Sequence, residues 1–240
     1  MSNGIPGHIV KAYEGELKRL REMIARMGGL AERQVADSAD ALVRRDTTLA
    51  AEVVSRDVLL DNMEREVEQF CIRLLALRQP MAQDLRLIIA CMKISQDLER
   101  IGDYARNGAK RAIVVSQQAL TGSLNGFERM AELVQDNLKG AIDALVEDDA
   151  AKADAVWRND EAIDGIYNGI FRELLTFMME DPRNITAATH LLFIAKNMER
   201  IGDHATNIAE RVRFVVLGEA PTEDRPKGDT STSAVAGPQR

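Results

Sequence analysis

Aromatic residues are scarce in this sequence. They make up 4% of the 240 residues, with a single tryptophan. The chain is rich instead in alanine, leucine, glutamate and arginine, which favour helices. Because 45% of the residues are hydrophobic and 29% are charged, the composition is typical of amphipathic helices around a large core. We therefore expect an all-α protein.

Cysteine, basic charge and long apolar runs are also lacking. Cys71 and Cys91 form no C-x-x-C pair, which argues against a zinc finger or a disulfide scaffold and favours a reducing cytoplasm. The formal charge is −7, so nucleic acid is not an expected partner. No apolar run approaches about 18 residues, which excludes a transmembrane helix. The segment Met1–Val10 lacks the apolar centre of a secretory signal.

Proline is rare through most of the chain. Only Pro80 and Pro182 lie between Pro6 and Pro221. Because proline interrupts helix interiors, the intervening segments are free to form long helices. With the other turn-like stretches, these breaks predict six helices, over residues 9–44, 48–78, 82–117, 124–147, 150–179 and 184–217.

Helix caps and loop lengths support this division. We expect Asp46 or Thr47, Ser123 and Asp149 to cap the helices that follow them. The short loops predict antiparallel neighbours. After residue 217 the chain has no aromatic residue and no periodicity, so residues 218–240 are predicted to be a disordered tail.

An internal repeat divides the chain into halves. Residues 97–111 read DLERIGDYARNGAKR and residues 197–211 read NMERIGDHATNIAER, with nine of fifteen positions identical at an offset of 100. Each half holds three predicted helices. We therefore predict two similar three-helix bundles, over 1–119 and 120–217, made of six long antiparallel helices and related by an internal pseudo-two-fold repeat.

Pairs of carboxylates four residues apart occur in both halves. Residues at this spacing lie on one helix face, where like charges repel. Two pairs occur in each half: Asp57 with Asp61 and Glu99 with Asp103 in the first, Asp160 with Asp164 and Glu199 with Asp203 in the second.

The pairs reach matching heights when each half folds at its proline turn. Asp61 lies 19 residues before Pro80 and Glu99 lies 19 residues after it, and the counts around Pro182 are nearly the same. Four carboxylates gathered together cannot all stay ionised without protons or a cation. We therefore predict a site for Mg, Mn, Fe or Ca in each half, formed by these oxygen ligands.

Polar neighbours extend each carboxylate face. Asn107 and Asn207 lie four residues further along and are candidates to ligate or orient an ion. Arg100 and Arg200 are expected to point elsewhere on their helices and to pair with neighbouring acids, and with the two asparagines they are candidates to support the ligands from outside.

Simpler interpretations remain open. Asp61 could form an ordinary exposed ion pair with Arg65. Gly102 and Gly202 lie within predicted helices, where glycine costs about 1 kcal/mol relative to alanine. They indicate either room for a ligand or close helix packing.

The motifs of several enzyme classes are missing. No Glu-x-x-His precedes His8, His190 or His204, and there is no phosphate-binding loop or serine nucleophile motif. The histidines are expected to pack rather than to ligate metal. We expect a protein that is not an enzyme, with a metal-dependent phosphohydrolase or oxidase, or a scaffold without metal, as the alternatives.

The doubled E-R-I-G-D segment, Glu99–Asp103 and Glu199–Asp203, resembles the hallmark of the PhoU family of bacterial phosphate-transport accessory and signalling proteins. The resemblance covers about residues 5–217. Further shared motifs are Met27-Gly28-Gly29, Arg78-Gln79-Pro80 followed by Asp84-Leu85-Arg86, and Met178-Met179-Glu180-Asp181.

This resemblance implies a fold, a set of ligands and a role. It implies two three-helix bundles, a homodimer and metal binding through E/D-x-x-x-D motifs, which match at all eight carboxylates. It also implies a cytoplasmic negative regulator of the phosphate-starvation response that restrains phosphate uptake. Such a regulator links the ATPase subunit of the phosphate ABC transporter to a phosphate sensor histidine kinase, and it meets the membrane only through these partners.

Overall fold

The computed structural model describes residues 5–118 and 124–219, with side chains from Tyr13 onward. These residues form six long helices and no strand. The helices are α1 (Ile5–Val43), α2 (Thr47–Arg78), α3 (Ala82–Ser116), α4 (Asn125–Glu147), α5 (Ala150–Glu180) and α6 (Ile185–Leu217). One turn of 3₁₀ helix, Pro182–Asn184, precedes α6.

The predicted helix bounds agree with the structure to within one residue, except at the start of α1. That helix begins at Ile5 rather than at residue 9. Pro6 lies in its first turn, where a missing N–H breaks no intrahelical hydrogen bond. A proline near the chain start is therefore compatible with a helix that already includes it.

Two of the predicted caps are confirmed. Asp46 accepts hydrogen bonds from the backbone amides of Thr48 and Leu49, at 2.9 and 3.0 Å, and so begins α2. Asp149 does the same for the second and third residues of α5. The third candidate, Ser123, lies outside the described residues.

The helices form two lobes. In the first lobe α1, α2 and α3 contact one another, and in the second lobe α4, α5 and α6 do the same. The lobes meet through α1 with α4 and α3 with α6, so α2 and α5 flank the joined core. The predicted domain boundary at 119/120 falls in residues 119–123, outside the described part, as does the predicted tail from residue 220 onward.

The pseudo-two-fold relation is visible where α3 meets α6. The ring centroids of Tyr104 and His204, which occupy equivalent repeat positions, lie 5.7 Å apart. Equivalent positions touch each other only near a two-fold axis. Buried Asp97 also contacts His204 Nδ1 at 2.9 Å and accepts a hydrogen bond from Arg211 Nε at 2.8 Å, so α3 and α6 run antiparallel.

The larger apolar core of the described residues runs through both lobes, and a smaller apolar cluster lies in the first lobe around Ala50 and Val53. Apolar residues three and four apart along α2 predict a packed seam of Val53, Leu60, Met63, Val67, Phe70, Leu74 and Leu77. The structure buries this seam at Val53, Leu60, Val67, Phe70 and Leu74. The seam prediction is wrong at its end, since Leu77 is 69% exposed near the C-terminus of α2. Among the described helices, none is both long enough and apolar enough to cross a membrane.

Candidate functional site

The structure brings the four carboxylates of the first lobe together where α2 faces α3. We call Asp57, Asp61, Glu99 and Asp103 the first-lobe cluster. Arg106 contacts both Asp57 and Asp103, and Asp61 and Glu99 line the same cleft, so the acids of α2 and α3 lie on facing sides of the two helices. The matching heights expected from the proline turn are therefore found.

Arg106 is the main cation of the first-lobe cluster. Its Nη1 contacts Asp57 Oδ2, and its Nη2 lies 2.6 Å from Asp103 Oδ1. The guanidinium thus joins a buried carboxylate of α2 to one of α3. Sequence reasoning missed Arg106, although its position three residues after Asp103 was a usable signal.

The two arginines named from the sequence behave differently. Arg100 lies 3.7 Å from Glu99 and 3.6 Å from Asp103, so it pairs with acids as expected. These acids belong to the first-lobe cluster, so Arg100 lies beside the predicted ligands rather than elsewhere on α3. Arg200 instead lies over the Tyr104 ring, 5.6 Å from its centroid, and so contacts the other lobe.

An open cleft of about 430 Å³ borders the first-lobe cluster. Its walls include Asp61 and Glu99, together with Glu64, a carboxylate not predicted from the sequence. Burial raises the pKa of Glu64, and the neighbouring acids raise it further. Arg65 donates a hydrogen bond to Asn62 Oδ1 at 3.2 Å. Its hydrogen-bond partner is therefore Asn62 and not Asp61, the partner considered from the sequence.

The four carboxylates of the second lobe converge between α5 and α6. We call Asp160, Asp164, Glu199 and Asp203 the second-lobe cluster. Asp160, Asp164 and Glu199 are buried, with 4%, 6% and 7% of their surface exposed. The charges of Asp164 and Asp203 act on Glu199, so the two helices again present their acids to each other.

The partners in the second-lobe cluster differ from those in the first. Thr206, at the position equivalent to Arg106, has its Oγ1 3.1 Å from Asp160 Oδ1. Lys196 Nζ lies 2.9 Å from Glu199 Oε1. The other carboxylate oxygen, Glu199 Oε2, is buried and has no hydrogen-bond partner.

Both clusters hold carboxyl groups that retain protons more readily than exposed acids do. Burial raises the pKa of Asp57, with Arg106 opposing the shift. Burial likewise raises the pKa of Glu99, where the nearby Asp103 adds to it, and the pKa of Glu199, where Lys196 opposes it. The clusters therefore concentrate negative charge that a proton or a bound cation would relieve.

The donor atoms suit a hard divalent cation, because all eight predicted ligands are carboxylates. The unpartnered Glu199 Oε2 fits such a role in the second lobe. Within residues 5–118 and 124–219, however, no three Asp, Glu, His or Cys side chains are placed to hold one ion together. Metal ligation would require side chains to turn, and it stays a prediction.

The remaining polar candidates lie beside the clusters. Asn107 and Asn207 are partly buried on α3 and α6, four residues beyond the last carboxylate. His190 Nδ1 lies 3.3 Å from a nitrogen of Arg111, and His204 contacts Asp97. These two histidines contact residues outside the clusters, while the side chain of His8 lies outside the described part of the chain.

A family model described as "PhoU domain" matches the chain twice, at residues 24–112 and 127–212. One match falls in each lobe. This agrees with the duplicated E-R-I-G-D segment and with the two similar bundles in the structure.

Two similar relatives carry the name "Phosphate-specific transport system accessory protein PhoU homolog". The one from Caulobacter vibrioides (strain NA1000 / CB15N) is 54% identical over 226 residues, covering 92% of this chain and 97% of the relative. The one from Rhizobium meliloti (strain 1021) is 50% identical over 227 residues, covering 94% of this chain and 96% of the relative.

Two solved structures share the fold. The crystal structure of PhoU from Pseudomonas aeruginosa has a TM-score of 0.83 at 41% identity and covers 86% of this chain and 100% of that one. The phosphate transport system regulatory protein PhoU from Streptococcus pneumoniae has a TM-score of 0.82 at 28% identity and covers 88% of this chain and 100% of that one. The likeness therefore extends over nearly the full length of each protein.

Proposed function

The chain belongs to the PhoU family, and we propose on that basis that it is an accessory protein that regulates phosphate transport. The observation that carries this proposal is the 54% identity over 92% of the chain to a relative named as an accessory protein of the phosphate-specific transport system. The aligned region includes both lobes and is not confined to a single motif.

The finer role follows from the resemblance. The protein is a negative regulator of the phosphate-starvation response and restrains uptake when phosphate is plentiful. It acts in the cytoplasm as a homodimer and connects the ATPase subunit of the phosphate ABC transporter to a sensor histidine kinase. The absence of a membrane-spanning helix among the described residues is compatible with recruitment to the membrane through these partners.

Divalent cations bound by the carboxylates are part of this proposal. Three observations support it. Acids are buried in both clusters, the charges of Asp203 and Asp164 raise the pKa of Glu199, and Glu199 Oε2 has no hydrogen-bond partner. Such an ion would cross-link α2 to α3 or α5 to α6 and offset the repulsion between their acids.

The role is that of an adaptor rather than an enzyme. The relatives are named as accessory or regulatory proteins. Arg106 contacts Asp57, Lys196 contacts Glu199 and Thr206 contacts Asp160, and contacts of this kind position and neutralise the acids.

Deletion of the gene in its own organism tests the regulatory role. We expect phosphatase and transporter genes to be expressed in rich phosphate, because the restraint on the starvation response is lost. Transcript levels measured with and without a complementing copy provide the readout. Unchanged expression in rich phosphate would contradict the proposal.

A further inference from the structure

A cavity of about 420 Å³ opens between α1 and α2, and none of the eight clustered carboxylates lines it. Its walls are formed by Arg19, Met23, Glu66, Gln69, Phe70 and Arg73. Met23 and Phe70 are each 6% exposed, so they form its inner surface, while the polar side chains surround the opening. The volume lies in the range of about 300 to 1,000 Å³ that is usual for small-molecule pockets.

Two arginines from different helices meet over one aromatic ring in this cavity. Arg19 of α1 has its Cζ 5.2 Å from the centroid of the Phe70 ring, and Arg73 of α2 has its Cζ 4.9 Å from the same centroid. Both distances are those of cation–π contacts. Because the ring is buried, it gives these two long side chains a fixed place to rest before any ligand binds.

The positive charge of the cavity is only partly balanced by acids. Neither Arg19 nor Arg73 forms a salt bridge with a carboxylate of the described residues. Glu66 lines the cavity without pairing with either of them. The charge of Arg73 also acts on Glu16, but Glu16 is held by Arg78 at 2.8 and 3.0 Å. Two guanidinium groups therefore face one acid across the cavity.

We propose that this cavity binds the phosphoryl group of a small phosphate monoester, with the N–H groups of Arg19 and Arg73 donating to its oxygens. Guanidinium groups suit phosphate oxygens because they donate paired hydrogen bonds. A phosphoryl group carries a charge of about −1.5 to −2 at pH 7, which matches two arginines better than one carboxylate does. Inorganic phosphate would fill only part of the volume, which leaves room for an organic group against Met23.

Calorimetric titration of the full chain with phenyl phosphate tests the site. Arg19→Gln combined with Arg73→Gln should weaken binding by at least about tenfold, because hydrogen bonds to a charged ligand are lost. The control combines Arg129→Gln with Arg158→Gln, which removes the same charge from exposed positions of α4 and α5. The control should bind as the wild type does, and circular dichroism establishes that each variant is folded.

A variant that strengthens binding tests the location independently. Glu66→Gln removes the negative charge from the cavity wall, so it should tighten phenyl phosphate binding by about two- to fivefold. Glu161→Gln removes the same charge from an exposed position of α5 and should leave binding unchanged. If the double arginine variant does not fold, unchanged affinity in folded Glu66→Gln would still overturn the assignment to this cavity.

Titrations with inorganic phosphate and with benzoate identify the ligand class. Phenyl phosphate should bind more tightly than either. Equal or tighter binding of inorganic phosphate would overturn the monoester and leave the phosphoryl site. Equal binding of benzoate would overturn the choice of a phosphoryl group. No binding of phenyl phosphate at millimolar concentration, or equal loss in the arginine variants of both lobes, would overturn the site. These results are independent of metal ligation and of the regulatory role proposed above.

Discussion

At the scale of single residues, glycine decides how closely the helices of a cluster approach. A Cβ built on Gly102 would lie 2.3 Å from Leu60 Cδ1 and 3.6 Å from Asp57 Oδ1. On Gly202 it would lie 2.9 Å from Ile163 Cδ1. The sequence left close packing and room for a ligand both open, and the structure shows close packing directly beside the acids.

Relative to Gly169→Ala, which gains the same helix propensity, Gly102→Ala should be less stable by about 1 to 3 kcal/mol, because its added methyl overpacks the contact with Leu60. Gly169→Ala is the control, since its Cβ would meet nothing within 4 Å, and it should stabilise α5 by up to about 1 kcal/mol. Urea unfolding measures both free energies. Equal stability of Gly102→Ala and Gly169→Ala would contradict the packing account.

The positions of the carboxylates were predictable from the sequence, and most of their partners were not. Asp57 and Glu99 are found together because helical spacing and distance from Pro80 are local quantities. Arg106 and Lys196 were missed because a long flexible side chain chooses its partner only after the helices have packed. The repeat did contain one sign that the partners of the two clusters differ, since Arg106 of the first half corresponds to Thr206 of the second.

At the scale of helices, an ion pair ties α1 to the end of α2. Arg78 Nε lies 2.8 Å from Glu16 Oε2, and its Nη2 lies 3.0 Å from Oε1. Both side chains are 29% exposed, so water screens the pair only in part. The hydrogen bonds from Arg78 lower the pKa of Glu16.

Because the pKa of Glu16 is lowered by folding, the pair stabilises the protein above the unfolded pKa of about 4.3 and loses that effect as pH falls through the folded value. Glu16→Gln should lower the free energy of unfolding by about 1 kcal/mol at pH 7, and the difference should shrink in acid. Urea unfolding at several pH values measures it.

Glu22→Gln on the same helix is the control, since its pair with Lys18 is 3.9 Å long and highly exposed. It should change stability little at any pH. A deficit in Glu16→Gln that stays constant down to acid pH would contradict the assignment to this ion pair.

Local sequence signals predict where the helices begin and end better than they predict which residues pack against neighbouring helices. Asp46 and Asp149 cap α2 and α5 as predicted. A capping side chain accepts a hydrogen bond from a backbone amide only two or three residues away, so the cap depends on no tertiary contact. Leu77 fits the apolar period of α2 but lies beyond the packed part of the helix. Periodicity predicts a face and cannot predict how far the neighbouring helix extends.

At the scale of the whole molecule, α3 and α6 serve the clusters and the contact between lobes at once. Glu99 and Asp103 lie in the first-lobe cluster, while Asp97 on the same helix binds His204 and Arg211 of the other lobe. The repeat predicted a two-fold relation but not which helices join the lobes. A change at Glu99 therefore lies two residues from Asp97, and a change at Asp203 lies next to His204, in the contact between α3 and α6.

Phosphate uptake in cells is the most direct test of the claim that these clusters serve the regulation of transport. The chromosomal copy is replaced by Glu199→Gln with Asp203→Asn, and by Glu161→Gln with Glu173→Gln, which remove the same charge from exposed positions of α5. At matched protein levels and high external phosphate, the cluster variant should take up phosphate without restraint and the control should match the wild type. Wild-type restraint in the cluster variant would contradict the account.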